Sequence, residues 1–138
     1  MAHILIIEDH RDIRALTELI LLDAGHTVIS APDGVCGVQL AVYDQPDLIL
    51  MDLALPYLDG WEATRQLKAN PLTRHIPVVA LTVHITPDAL ARARTAGCAT
   101  VIPKPFEIGR LLDEVASALA QHACTAATTQ PCCAERGG

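Results

Sequence analysis

Residues 46–60 read Pro-Asp-Leu-Ile-Leu-Met-Asp-Leu-Ala-Leu-Pro-Tyr-Leu-Asp-Gly, a short apolar run that ends abruptly in a carboxylate. Leu48 to Met51 are continuously apolar, a pattern typical of a strand that is buried on both faces of a sheet. Asp52 follows at once, and turn-forming residues come next, at Pro56 and at Asp59-Gly60. Taken alone, Asp52 fits a simple turn cap as well as a functional group at the carboxyl end of a buried strand.

Four further apolar runs share this strand-like character, and patterns at helical spacing separate them. The runs cover His3–Ile7 and residues 27–30, 77–81 and 100–102. The apolar faces predicted for the first two helices are Ile13, Leu16 and Ile20, and Val35, Val38 and Val42. This alternation predicts a parallel sheet with helices on both faces and right-handed crossovers. We expect one domain over residues 1–121 and a flexible C-terminal tail over residues 122–138, where the pattern fades.

Composition narrows the classes of function that the chain can serve. It has 138 residues, enough for one domain with its own core, and a formal net charge of -6. The acidic balance argues against a nucleic-acid-binding surface. No apolar run approaches the roughly 20 residues that a bilayer span needs, and no leader-like segment opens the chain. We therefore expect a cytoplasmic protein, with free thiols among its five cysteines.

Chemically active residues mark the ends of four of the five predicted strands. The first strand ends in Glu8-Asp9, the third in Asp52 and the fourth in Thr82, and Lys104 follows the fifth. Because the carboxyl ends of parallel strands lie along one edge of a sheet, these groups should converge in a shallow crevice. Each of them could serve a local purpose alone, such as a cap or a solvated lysine. Their joint placement favours a functional site.

The predicted crevice has the composition of a magnesium-assisted phosphoryl site. Three close carboxylates repel one another and are costly without a cation. Mg²⁺ binds a few carboxylates together with waters and phosphate oxygens. A bound ion would leave Asp52 ionised, and carboxylates can accept phosphoryl groups as nucleophiles. Lys104 and the Thr82 hydroxyl could then neutralise and orient the phosphoryl oxygens.

These motifs resemble the receiver domains of two-component response regulators. The resemblance rests on the acidic pair, on Asp-x-x-x-Pro-x-x-x-Gly from Asp52, on Leu81-Thr82 and on Lys104-Pro105-Phe106, and it covers about residues 3–121. It implies a flavodoxin-like, doubly wound (βα)5 α/β fold with a five-stranded parallel sheet in strand order 2-1-3-4-5. No output domain follows the pattern, so the resemblance implies a single-domain regulator in a two-component system or phosphorelay.

The resemblance also implies a role for the acidic motif residues. Asp52 would be the phosphoacceptor. Glu8, Asp9 and Asp52 would bind Mg²⁺ together with the backbone carbonyl of Ala54. The chain would then catalyse only its own aspartyl phosphorylation and dephosphorylation.

The remaining implied roles concern signalling. Thr82 would be the switch hydroxyl that moves toward the phosphoryl group, and Lys104 would contact a phosphoryl oxygen. The phosphoryl donor would be a histidine kinase or a histidine phosphotransfer protein, and the output a contact with a downstream protein. The chain itself would be a monomer or a weak homodimer. One of the departures from the family pattern is Val101, which stands where receivers often carry an aromatic switch residue.

Three other functions fit parts of the sequence. A phosphorylation-independent interaction module with the same fold typically loses an acidic or lysine position, and this chain keeps them all. An aspartyl phosphohydrolase usually needs a second Asp two residues after the nucleophile, where this chain has Ala54. A flavodoxin-like cofactor binder needs a phosphate-cradling loop after Ile7, where acidic residues stand instead.

Overall fold

A computed structural model describes residues 2–53, 60–82, 86–104 and 106–128 of the chain, with side chains up to residue 120. Five strands and five helices alternate within these ranges. In chain order they are β1 (His3–Ile7), α1 (Arg11–Asp23), β2 (Thr27–Ala31), α2 (Gly34–Asp44), β3 (Leu48–Asp52), α3 (Gly60–Ala69), β4 (Val78–Thr82), α4 (Pro87–Ala96), β5 (Thr100–Pro103) and α5 (Ile108–Thr128). The strands form one parallel sheet in the order β2-β1-β3-β4-β5, which confirms the predicted fold class.

The sheet separates two hydrophobic cores. Successive side chains of a strand point to opposite faces, so the apolar run of β3 supplies both cores at once. Leu50 joins the core that contains Ile20, Leu21 and Leu111 of α1 and α5. Its neighbour Met51 joins the core beneath α2 and α3. All five residues of β3 are buried, including its last residue, which is an aspartate.

The helix ends follow their capping residues. The Asp33 side chain accepts a hydrogen bond from the Cys36 backbone N–H at 2.8 Å and so caps α2. Thr86 caps α4 in the same way, Pro87 begins that helix, and Gly97 ends it at φ 104°. Asp59, which precedes α3 in the sequence, lies outside the described residues.

The helix faces that pack on the sheet differ from the predicted ones. α1 buries Thr17, Ile20 and Leu21, whereas Leu16 is exposed. α2 buries Gly34, Gly37 and Ala41; of its predicted valines, Val38 packs partly buried against the core, whereas Val35 is exposed. The predictions for Leu16 and Val35 were wrong because they assumed that the largest apolar side chains mark the buried face.

The last helix is longer than predicted. α5 packs Leu111 and Val115 into the core and continues to Thr128, so residues 122–128, which the sequence assigned to a tail, are helical. Alanine, the best helix former, is frequent in this segment. Residues 129–138 lie outside the described part, and the boundary between domain and tail stays a prediction. No helix in the described ranges is both long and apolar enough to cross a membrane.

Candidate functional site

The strand register sets the first contacts of the site. Ile7 of β1 pairs with Met51 of β3, so the next residues along the two strands, Glu8 and Asp52, leave the sheet side by side. Both carboxylates are almost fully buried. Their neighbours in the strands are apolar core residues, so the sheet itself fixes the backbone from which they project.

Lys104 lies between these two carboxylates. Its Nζ is 2.8 Å from Glu8 Oε1 and 3.3 Å from Asp52 Oδ2, and its side chain is only 11% exposed. The Lys104 backbone N–H donates to the Thr82 carbonyl at 2.8 Å, which holds the lysine against the end of β4. Buried carboxylates need a partner cation. Lys104 provides it here, although it lies 96 residues from Glu8 in the sequence.

The pairing shows in the ionisation of Glu8. Burial opposes its charged form, but hydrogen bonding with Asp52 and the nearby Lys104 ammonium outweigh burial and hold the pKa of Glu8 below its ordinary value. Arg14 also donates a hydrogen bond to the Glu8 backbone carbonyl, at 3.0 Å, and ties α1 to the end of β1. The contact with Lys104 therefore favours the ionised form of Glu8.

His10 belongs to the same cluster, although the sequence did not single it out. Its Nδ1 is 3.2 Å from Glu8 Oε2, with which it forms a hydrogen bond, and 3.2 Å from Asp9 Oδ1. The hydrogen bond to Glu8 and the charge of Asp9 raise the pKa of His10. In the sequence, only the position of His10 directly after the acidic pair pointed to a role in this cluster. The other histidines are scattered along the chain, so His10 did not stand out among them.

The acidic residues at this edge fit a divalent cation. Glu8, Asp9, His10 and Asp52 each place one potential ligand atom within 4.8 Å of the others. Asp9 Oδ1 is buried, and its contact with His10 lacks hydrogen-bond geometry, so this oxygen has capacity for a ligand bond. Carboxylate oxygens are the donors that Mg²⁺ prefers. The predicted ligand Ala54 lies outside the described residues.

Thr82 ends the neighbouring strand and opens toward α3 and α4. It is buried and lines a cavity of about 410 Å³ together with Leu53, Trp61 and Arg92. The Arg92 guanidinium lies 4.5 Å from the centre of the Trp61 ring, a cation–π contact between two of the residues that line this cavity. Thr82 therefore has space beside it on the side of α3 and α4.

Gly60 fixes the start of α3 against the end of β3. A Cβ at this position would lie 2.6 Å from the Asp52 carbonyl oxygen and 2.6 Å from Leu53 Cα. The Gly60 backbone N–H donates to the Leu53 carbonyl at 3.2 Å. Only glycine permits this approach, which explains the glycine at the end of the Asp-x-x-x-Pro-x-x-x-Gly motif.

The structure thus brings Glu8, Asp9, Asp52 and Lys104 together and places Thr82 at the end of the adjacent strand. Val101, at the position where receivers often carry an aromatic residue, is half-buried and packs against the core beneath α2 and α3.

Known proteins share this sequence pattern and this geometry. The profile of the response regulator receiver domain family matches residues 4–116. The polar-differentiation response regulator DivK of Brucella anthropi is 34% identical over 116 residues, which cover 84% of this chain and 94% of DivK.

Solved structures agree. The receiver domain of a sensor histidine kinase from Pseudomonas aeruginosa, with a magnesium ion in its active site cleft, superposes with a TM-score of 0.81 at 31% identity, covering 86% of this chain and 98% of that one. The chemotaxis protein CheY4 of Vibrio cholerae gives a TM-score of 0.82 at 26% identity, with the same shares covered. The chain belongs to the response regulator receiver domain family of two-component signalling.

Proposed function

We propose that the chain accepts a phosphoryl group on Asp52 from a phosphohistidine donor, with Mg²⁺, and thereby switches its contacts with other proteins. The observation that carries this proposal is the contact of one buried lysine with two buried carboxylates beside a further acidic residue. The arrangement supports this proposal because Asp52 would serve as the nucleophile, the acidic residues as metal ligands and Lys104 as the cation, all in one crevice.

The reaction needs little from the protein beyond placement and charge. An Asp52 carboxylate oxygen attacks phosphorus, a P–O bond forms, and the P–N bond to the donor histidine breaks, after which the imidazole takes up a proton. Glu8, Asp9 and Asp52 would hold Mg²⁺, which when bound offsets the negative charge of the phosphoryl group. Lys104 is placed to pair with a phosphoryl oxygen. The chain acts on its own Asp52 and not on a free substrate.

Thr82 is the proposed switch. Its hydroxyl would turn toward the phosphoryl oxygens, and the cavity beside Leu53 and Trp61 gives the end of β4 room to rearrange. With Val101 in place of an aromatic residue, the signal would pass through the segment after Thr82 and into α4.

The proposed donor is a histidine kinase or a histidine phosphotransfer protein that docks along α1. This helix begins two residues after Asp9 and exposes Leu16, Leu19 and Leu22. Leu19 and the exposed Ile108 of α5 line a groove of about 390 Å³. Exposed apolar side chains grouped next to a reactive site fit a protein partner better than a small molecule. Since phosphohistidine donors form with ATP, we place the reaction in the cytoplasm.

Intact-mass analysis after incubation with acetyl phosphate and Mg²⁺ tests the acceptor chemistry. We expect one phosphoryl adduct on the wild-type chain and none on Asp52→Asn, which keeps the size of the side chain but removes the nucleophile. Omission of Mg²⁺ should abolish the adduct. An equal adduct on Asp52→Asn would refute the proposal.

Donor docking is tested separately by Leu19→Glu. This exposed position lies outside the acidic crevice, so labelling by acetyl phosphate should persist while transfer from a phosphorylated histidine kinase falls at least about tenfold. Leu72→Glu, an exposed leucine after α3, serves as the matched control and should transfer normally. Equal transfer to both variants would place the docking surface elsewhere.

A further inference from the structure

We propose that the outer face of α2, continued by the edge of β2, is a self-association surface through which two copies of this chain form a symmetric dimer. The proposal does not depend on Asp52 chemistry. It rests on how α2 packs, on what the helix leaves exposed, and on where the chain carries charge.

The packing of α2 is inverted relative to an ordinary amphipathic helix. Its buried positions are Gly34, Gly37 and Ala41, the smallest side chains that it has. A Cβ added at Gly37 would lie 2.3 Å from Ile7 Cδ1, so the helix backbone lies directly on the side chains of β1. Because small residues occupy the closest contact with the sheet, Cys36, Val38 and Leu40 reach the core only partly buried, and Val35 and Tyr43 stay exposed.

The outward side chains form an apolar surface. Val35 is 47% exposed and Tyr43 is 91% exposed. Tyr43 also lines a groove of about 480 Å³, together with Cys36, Val38, Gln39, Leu40 and Val42. A helix that is apolar on its outer face is normally covered by another surface.

Charge sets this face apart from the rest of the described chain. α2 has no Asp, Glu, Lys or Arg before its last residue, Asp44. Each of the other four described helices carries charged side chains of both signs. β2, the edge strand next to α2, is also uncharged from Thr27 to Ala31, although edge strands are commonly protected by charge. The uncharged helix and the uncharged edge are continuous, since Ile29 packs in the same cluster as Cys36 and Val38.

These features favour a second copy as the occupant. The face has no charge with which to select a charged partner, so whatever covers it must be apolar. Two chains of net charge -6 repel over most of their surfaces, and this neutral face lets them meet without opposed like charges. In a twofold contact the same patch faces itself, so Tyr43 of each copy can lie against the apolar groove of the other.

The size of the surface sets the expected affinity. An 11-residue helix is about 16 Å long. Even with the β2 edge, such a patch falls short of the roughly 800 Å² per partner of a standard stable interface. We therefore expect a weak dimer, with a dissociation constant in the range of about 10 to 100 µM. Salt should lower the dissociation constant of the dimer, because it screens the repulsion between the two acidic chains and does not weaken a contact between uncharged surfaces.

Sedimentation equilibrium of the full chain, under reducing conditions that prevent disulfide cross-links, tests this surface. Between about 5 and 500 µM we expect a monomer–dimer equilibrium that shifts toward dimer from about 0.02 to 0.5 M NaCl. Tyr43→Glu should raise the dissociation constant at least tenfold by placing carboxylates in the contact, and Val35→Glu should act in the same direction. Leu72→Glu, an equally non-conservative change at an exposed leucine outside the patch, should leave the constant unchanged.

Tyr43 is too exposed to support the core, and an unchanged far-UV circular dichroism spectrum and urea-unfolding midpoint confirm that the variant folds. A wild-type chain that stays monomeric throughout would overturn the proposal and leave the face to a different protein. Dimerisation that is insensitive to Tyr43→Glu, or that Leu72→Glu weakens equally, would also overturn it, because the contact would then lie elsewhere.

Discussion

At the scale of single residues, Lys104 links the two buried carboxylates of the site. It contacts Glu8 and Asp52 at once and is largely buried, so its charge acts in a medium where electrostatic interactions are stronger than in water. The sequence predicted that these three side chains would converge, because they end strands of one parallel sheet. It could not predict His10 in the cluster, since nothing in a sequence fixes how a side chain turns after a strand ends.

Replacing Lys104 with methionine should separate phosphoryl transfer from metal binding. Met has a similar length but no charge, so we expect labelling by acetyl phosphate to slow by about 100-fold, as when an oxyanion donor is removed. Mg²⁺ should bind at least as tightly, because a competing cation is gone. Lys68→Met is the matched control: Lys68 Nζ donates to the Ile76 carbonyl at 2.6 Å in another part of the molecule. An unchanged labelling rate in Lys104→Met would contradict the role of Lys104.

At the scale of elements, the strands were predictable and the helix faces were not. Buried strands read as continuous apolar runs, and the caps of α4 are local features of Thr86, Pro87 and Gly97. Which face of α1 or α2 packs on the sheet depends instead on how closely the helix approaches. Gly37 lets the backbone of α2 approach the Ile7 side chain closely. The spacing of apolar residues in the sequence does not indicate how close a helix lies to the sheet.

The junction of β3 and α3 gives a prediction about Gly60. Gly60→Ala would place a methyl group 2.6 Å from the Asp52 carbonyl oxygen, and the backbone on both sides must then shift. We expect the free energy of unfolding to fall by about 1–3 kcal/mol, as in other overpacked sites, and Asp52 labelling to slow. Gly109→Ala is the control, because a Cβ at that helical position meets nothing within 4 Å and should raise stability by about 0.5–1 kcal/mol. Equal stability of the two variants in urea unfolding would contradict this account of the motif glycine.

The connection between α1 and β2 gives a prediction about pH. His26 Nδ1 accepts a hydrogen bond from the Ala2 backbone N–H at 3.1 Å, which requires the neutral ring. Burial lowers the pKa of His26 from its ordinary value of 6.5. Neutral His26 therefore contributes its full share of stability well above pH 6.5. This contribution is lost as the pH falls below that value, because His26 in the unfolded chain binds a proton at a higher pH than His26 in the folded chain.

A variant that cannot titrate should remove this loss. His26→Gln keeps an acceptor but carries no charge, so its free energy of unfolding should fall less than that of the wild type between about pH 7 and pH 5. Urea unfolding of both proteins at the two pH values measures the difference, and the carboxylates common to both cancel. Parallel losses would show that His26 is not responsible.

At the scale of the whole molecule, one parallel sheet explains both the site and its surroundings. The strand order puts β1 and β3 side by side at the centre, and β4 and β5 beyond them, so Glu8, Asp52, Thr82 and Lys104 follow one edge. Strand and helix alternation was enough to predict this topology. The surfaces around the site were less predictable, because exposure depends on neighbours far away in the chain, as the outward residues of α1 and α2 show.

The central claim is that Asp52 is the phosphorylated residue, and trapping the acyl phosphate tests it most directly. After incubation with acetyl phosphate and Mg²⁺, borohydride reduces an aspartyl phosphate to homoserine, and peptide sequencing by mass spectrometry locates the change. We expect homoserine at position 52 alone, and none in Asp52→Asn or without Mg²⁺. Homoserine at position 9, or an unmodified position 52 in a chain that binds Mg²⁺ and carries a phosphoryl adduct, would contradict the claim.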